Sequence, residues 1–248
     1  MKNKLQNGEL SIKKVGGLIF IPTILLTSVY VIIGLFWQKI PSIALFYVLT
    51  MVILFPLELV TIMRASKKEY GKYSLKSAFS NHEKLKMTEI ILYGVVLFCF
   101  AGLTSATISP LEERLVAPIA ELVGQHTPDY FDWMNMELTR SYSRGILLFT
   151  SIVFLIMNSF VGPMIEELFF RGYLTAGLKR LEWKAAIVIT ILFSLYHLWQ
   201  PFGNIFRTVT FGVVAIITYR KRNIYISMVF HCLCNLLTTI NFLMLWWA

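Results

Sequence analysis

The chain has 248 residues and a formal charge of +9, yet only 15% of its residues are charged and 56% are hydrophobic. With a mean hydropathy of +0.66, this composition excludes an ordinary soluble fold and makes lipid the solvent. The positive charge does not point to nucleic acid, because the basic residues form short clusters beside apolar runs, where topology and anionic lipid head groups account for them.

Lys2, Lys4, Lys13 and Lys14 precede the first apolar run, and no small-residue cleavage pattern follows it, so the run reads as a retained helix. That span covers roughly Gly17 to Trp37; after a turn at Gln38 to Pro41 a second reaches about Met63. A polar loop from Arg64 to Met87 then carries Arg64, Lys67, Lys68, Lys72, Lys76, Lys84 and Lys86 against Glu69 and Glu83, a cytoplasmic marker. Glu58, about a turn and a half before Arg64, is expected to snorkel towards that side. The third span, about Thr88 to Ile108, leads into an acidic stretch in which Leu111, Leu115, Ile119 and Leu122 recur at helical spacing, predicting an amphipathic helix at the interface. Further spans cover Gly145 to about Tyr173, from Lys184 to near Trp199, from the Gln200 to Asn204 turn to Tyr219, and from beyond Arg220, Lys221 and Arg222 to Trp247.

Backbone groups in lipid must be satisfied within helices, so the expected fold is all-α: a polytopic transmembrane bundle of about seven spans with an interfacial amphipathic helix. Its organisation reads as residues 1–144, N-terminal spans and loops, and 145–248, the core carrying the polar motifs, integrated into one membrane domain. Placing every basic cluster on one side puts the N-terminus in the cytoplasm and the C-terminus outside the cell membrane. Cys99, Cys232 and Cys234 lie in apolar segments and read as small core residues, not a disulfide framework.

The carboxylates that stand deep in apolar sequence are Glu166 and Glu167, within Val161-Gly-Pro-Met-Ile-Glu-Glu-Leu-Phe-Phe-Arg171. An ionisable group at mid-bilayer costs on the order of 3 kcal/mol or more, which makes it a functional candidate by default. Glu167 and Arg171 share a helical face and can pair, whereas Glu166 points about 100° away and is left for chemistry. His197 and His231 are the histidines within apolar spans, and Asn235 lies one turn beyond His231. Glu166, His197 and Asn235 each stand 13 residues from a basic flank, at Lys179, Lys184 and Arg222. At about 1.5 Å per residue all three reach a level about 20 Å deep, with His231 one turn lower. Three helices thus deliver polar groups to one layer, the arrangement of a composite site. Phe193, one turn before His197, is expected to fix that ring, and Arg207 to anchor at the external interface. Gly145 to Lys179 is too long for one straight span, so the helix is expected to kink or restart at Gly162-Pro163, placing Glu166 in a first turn.

Glu166-Glu167-x-x-x-Arg171, Phe193-x-x-x-His197 and His231-x-x-x-Asn235 closely resemble the three-motif signature of the CPBP family, which comprises type II CAAX prenyl endopeptidases and bacteriocin-processing (Abi) proteases. The resemblance covers roughly residues 145 to 247 and implies an intramembrane endopeptidase acting on a membrane-associated peptide or protein. It implies Glu166 as the base that activates water, His197 as a residue that binds and orients the water, and His231 with Asn235 as the oxyanion hole. Glu167, Arg171 and Phe193 are expected to support these groups. The expected mechanism uses no metal; the alternative is a zinc ion on Glu166, His197 and His231. The alternative function is a non-catalytic membrane partner, such as a bacteriocin immunity protein or a sensor-kinase scaffold.

Overall fold

Apolar runs of this length fold as helices, and every regular element of the computed structural model, which describes residues 9–248, is helical. Lys2 and Lys4 of the basic N-terminal flank lie outside the described residues. Helix α1 (Ile12–Phe36) opens at Ser11, whose hydroxyl accepts the Lys14 N–H at 3.2 Å and satisfies one otherwise free donor. Helix α2 (Ser42–Tyr70) contains a π segment, Thr50–Leu54, and ends at Gly71, whose φ of 76° requires a residue without a Cβ. Helix α3 covers Met87–His126, α4 Arg144–Gly177, α5 Lys184–Tyr196, α6 Asn204–Lys221 and α7 Tyr225–Trp247.

Among the described residues, α1, α2, α3, α4 and α7 are long and apolar enough to cross a membrane. Helix α5 is apolar but has 13 residues, and α6 has 18. Large apolar side chains such as Ile21, Ile32, Leu92, Leu103 and Leu148 point outwards, as expected of a surface in contact with lipid chains. Buried apolar side chains from Leu10 to Trp246 form one cluster, to which both the N-terminal and C-terminal parts of the chain contribute. Helix α3 packs closely on α7 at Gly94, where a Cβ would stand 2.4 Å from the Val229 Cγ1 atom.

Three elements differ from the sequence expectation. The stripe Leu111, Leu115, Ile119 and Leu122 does not form a separate interfacial helix; it is the exposed far end of α3, which runs unbroken for 40 residues through Pro110 and Pro118. Glu112 locks that extension in place: its carboxylate accepts the Ile205 and Phe206 N–H groups at 2.8 Å each, capping the start of α6. Helix α4 does not restart at Gly162-Pro163 either. Two π segments, Met157–Val161 and Glu167–Leu174, keep it continuous, with the Gly162 N–H reaching back to the Met157 carbonyl. The wider π turn accommodates a proline ring that would clash with the carbonyl four residues back, so no helix start lies beside Glu166. Third, α2 continues to Tyr70, beyond the expected end near Met63.

The basic loop between α2 and α3 folds back into the bundle. Its short helical turn Lys76–Phe79 brings Ala78 against Gly172 of α4, where a Cβ would lie 2.5 Å from the Ala78 carbonyl oxygen. At the opposite end, the linker from α3 to α4 turns inwards. Tyr130 donates to the Ile40 carbonyl at 3.0 Å, and the Trp133 indole donates to the Tyr30 hydroxyl at 3.0 Å.

Candidate active site

Glu166 and Glu167 leave α4 in different directions, and their surroundings separate their tasks. Glu167 is fully buried, 2.9 Å from Nδ1 of His231 and 3.3 Å from Nε of Arg171. The Arg171 guanidinium lies over the Phe193 ring at 4.3 Å and beside the Phe211 ring at 5.2 Å, so aromatic faces share the cation with the carboxylate. This is the expected Glu167–Arg171 pair, with His231 added as a third member. Phe193 does more than pack: it is also a cation platform.

Glu166 faces a cavity of about 750 Å³. The Tyr196 hydroxyl donates to its Oε1 at 3.0 Å, and Nε2 of His231 stands 3.7 Å from its Oε2. His231 therefore bridges the two carboxylates. Because Nδ1 faces the Glu167 carboxylate it is the donor of that pair, and Nε2 is the ring nitrogen turned towards Glu166.

Helix α5 ends at Tyr196, earlier than expected, and His197 is the first residue beyond it, with φ −75° and ψ 58°. Its Nδ1 donates to the Phe193 carbonyl at 2.8 Å, and its ring meets Phe193 edge-on at 4.9 Å. The proton on Nδ1 leaves Nε2 of the neutral ring as an acceptor. Asn235 lines the same cavity, but its amide is engaged, donating to the Asn158 carbonyl at 2.9 Å. Asn158 in turn accepts from Tyr47 at 2.6 Å and donates to Thr239 at 2.8 Å. Glu166, His197, His231 and Asn235 thus all face one cavity, and the structure brings Glu166 and His231 closest together.

Tyr196, Asn158 and Tyr47 were not singled out in the sequence. Tyr196 adjoins His197, and Asn158 is an amide inside an apolar run; a search for all polar residues in spans would have found both. Arg207 is not an interface anchor. It is drawn inwards to line the cavity and clamps the turn before α6 through the Gln200 and Phe202 carbonyls, at 2.7 and 2.6 Å. Cys99 is exposed, so it is not a core residue; Cys234 lines the cavity as well but is half-buried against the core, and all three cysteines are free. Glu58 does not snorkel towards Arg64. It is 1% exposed inside the bundle, and neither carboxylate oxygen has a hydrogen-bond partner.

Nδ1 of His231 faces Glu167 and Nδ1 of His197 donates to a carbonyl, so each ring keeps Nε2 for the cavity; among the described residues no three His, Cys, Asp or Glu side chains are grouped as metal ligands.

Residues 148–237 match the model of a family described as type II CAAX prenyl endopeptidase Rce1-like. Neither a curated protein nor a solved structure matches the chain.

Proposed function

The chain belongs to the CPBP family of intramembrane proteases through residues 148–237, and from that premise we propose that it hydrolyses a peptide bond in a membrane-associated peptide or protein by metal-free glutamate catalysis. The observation that carries this reading is Glu166: a carboxylate facing a cavity among the helices, hydrogen-bonded by Tyr196 and 3.7 Å from Nε2 of His231.

Hydrolysis needs a base within reach of a water proton and donors placed for the negative charge that develops on the carbonyl oxygen. Glu166 takes the proton as the water oxygen bonds to the carbonyl carbon, then passes it to the departing amine nitrogen. Nε2 of His197 accepts from the water and orients it. Nε2 of His231, held by Glu167, donates to the oxyanion, and Asn235, fixed one turn away by Asn158, is its companion donor. Arg171 keeps Glu167 ionised, and Glu167 keeps the His231 ring in place.

In this reading α5 and α6 complete seven crossings, with the basic loops in the cytoplasm and the C-terminus outside. The test uses purified protein and a library of quenched membrane peptides, prenylated C-terminal peptides included. Wild type is expected to cleave members of the library, and Glu166→Gln, equally monodisperse in detergent, to fall to background. Cleavage retained by Glu166→Gln would remove the assignment, and an inert wild type would move the reading to the non-catalytic partner. Metal analysis of the same sample is expected to find no stoichiometric zinc.

A further inference from the structure

Asn235 has a place in the mechanism above, yet both protons of its amide nitrogen are directed at one neighbour. Nδ2 donates to the Asn158 main-chain carbonyl at 2.9 Å and to the Asn158 side-chain oxygen Oδ1 at 3.4 Å. The first bond has an ordinary length; the second is at the far limit of one. A donor that is to meet a developing negative charge has to be held in place and still have a proton to give. Whatever governs the second bond therefore governs Asn235.

The first bond follows from the shape of α4. In a regular α-helix the Asn158 carbonyl would accept the Gly162 N–H, but across the π segment Met157–Val161 that N–H goes to the Met157 carbonyl. The π pattern would pass the Asn158 carbonyl to the residue five further on, which is Pro163 and has no N–H. The carbonyl is thereby left to the Asn235 amide of α7. A main-chain carbonyl inside a helical bundle is seldom without a partner, and α4 is shaped so that this one finds it on another helix.

The second bond is set by Tyr47 of α2, whose hydroxyl donates to the same Asn158 Oδ1 at 2.6 Å. The Asn158 amide is fixed from its other end, since its Nδ2 donates to the Thr239 hydroxyl at 2.8 Å and to the Asn235 carbonyl at 3.3 Å. The Tyr47 ring packs against Phe154 at 5.6 Å and Phe46 at 5.2 Å, and Tyr47, Asn158 and Asn235 all line the cavity. Among the described residues, Tyr47 and Asn235 are the donors to Asn158 Oδ1. With the Tyr47 hydroxyl in place, Asn235 can release its 3.4 Å contact and leave that oxygen satisfied. Without the hydroxyl, the oxygen has Asn235 as its remaining donor and draws that N–H in, because an acceptor left unpaired is costly.

We propose that Tyr47, acting through Asn158, is a positioning residue for the oxyanion hole: by occupying Asn158 Oδ1 it leaves one Asn235 N–H free to turn to the substrate carbonyl oxygen, while the main-chain carbonyl exposed by the π turn anchors the other. Tyr47 lies outside the matched segment 148–237, so a donor within that segment depends on a hydroxyl supplied by α2.

The inference rests on the protease reading, and its test separates the two. Full-length protein labelled isotopically at asparagine, in detergent micelles and without substrate, reports the Asn235 side-chain amide by NMR; its signals are those absent from Asn235→Ala. Tyr47→Phe keeps the ring and its packing and removes the donor. The two amide protons of wild type are expected to be inequivalent, and in Tyr47→Phe the loosely held, upfield one is expected to move downfield as Asn158 draws it in. Unmoved signals would overturn the proposal even if peptides are cleaved. On a library peptide that wild type cleaves, Tyr47→Phe is expected to lower kcat about tenfold with KM unchanged, and to cause no further loss in the Asn235→Ala background, because residues that act as a unit are not additive. A raised KM with kcat intact would make Tyr47 a substrate contact, and an equal loss in the Asn235→Ala background would make its effect independent of Asn235; either result overturns the proposal. An inert wild type would remove the protease reading and the oxyanion role of Asn235 with it, whereas the amide signals report the link from Tyr47 to Asn235 in either case.

Discussion

Glu167 holds together two buried polar groups that have no water to fall back on. Its carboxylate faces His231 at 2.9 Å and Arg171 at 3.3 Å, all of them buried. Replacing it with Gln leaves the Arg171 cation without its counter-charge, and breaking a buried pair from one side costs about 3–5 kcal/mol. Glu167→Gln is therefore expected to lower the thermal unfolding temperature in detergent clearly, whereas Glu166→Gln, whose carboxylate pairs more loosely with His231, is expected to lower it less. Equal losses from both variants would mean that Glu166 has a structural task as large as that of Glu167. The adjacency of these two residues shows what sequence alone conveys: helical geometry separates their directions and identifies the arginine partner four residues on, but a tyrosine from α5 reaches Glu166 only through tertiary packing.

Between elements, the tightest constraint is the basic loop wedged against α4. With the Ala78 carbonyl oxygen 2.5 Å from where a Gly172 Cβ would stand, Gly172→Ala must push the Lys76–Phe79 turn outwards, at about 1–3 kcal/mol for overpacking. Limited trypsin digestion is expected to cut the loop at Lys76, Lys84 or Lys86 faster in Gly172→Ala than in wild type; an unchanged rate would mean that the wedge gives way without loosening. At this scale the sequence conveyed where helices lie better than how they end or bend. Hydropathy marks apolar runs but does not distinguish a kink at Gly162-Pro163 from a π turn, since both absorb the missing proline N–H. It also placed the end of α3 at the last strongly apolar residue, because the side chain that carries the helix onward, Glu112, binds backbone N–H groups 93 residues away. Distant partners of that kind leave no periodic trace.

Across the molecule, the basic clusters fall in the loop after α2, around Lys179 and Lys184, and at Arg220 to Arg222. The structure joins two of these groups directly: the Arg222 guanidinium pairs with Glu83 of the loop at 2.6 Å and donates to Asn81 at 2.7 Å. Single cysteines placed at Ser74 and Lys221 in a background free of native cysteines are expected to react with an impermeant thiol reagent from the same side of sealed vesicles, and one placed at Ala248 from the other. Labelling of Ser74→Cys and Ala248→Cys from one side would require an even number of crossings and remove the seven-span arrangement.

The walls of the cavity are drawn from two sources. The reactive groups come from the matched segment 148–237, while Phe46, Tyr47, Leu54, Phe55, Phe98 and Cys99 come from α2 and α3, outside it. Under the proposed protease reading, the reacting groups lie in the matched segment while part of the chamber wall is supplied from outside it. In that reading, substitutions at Leu54 or Phe98 alter which side chains the chamber admits while leaving in place the Tyr196 and His231 contacts of Glu166.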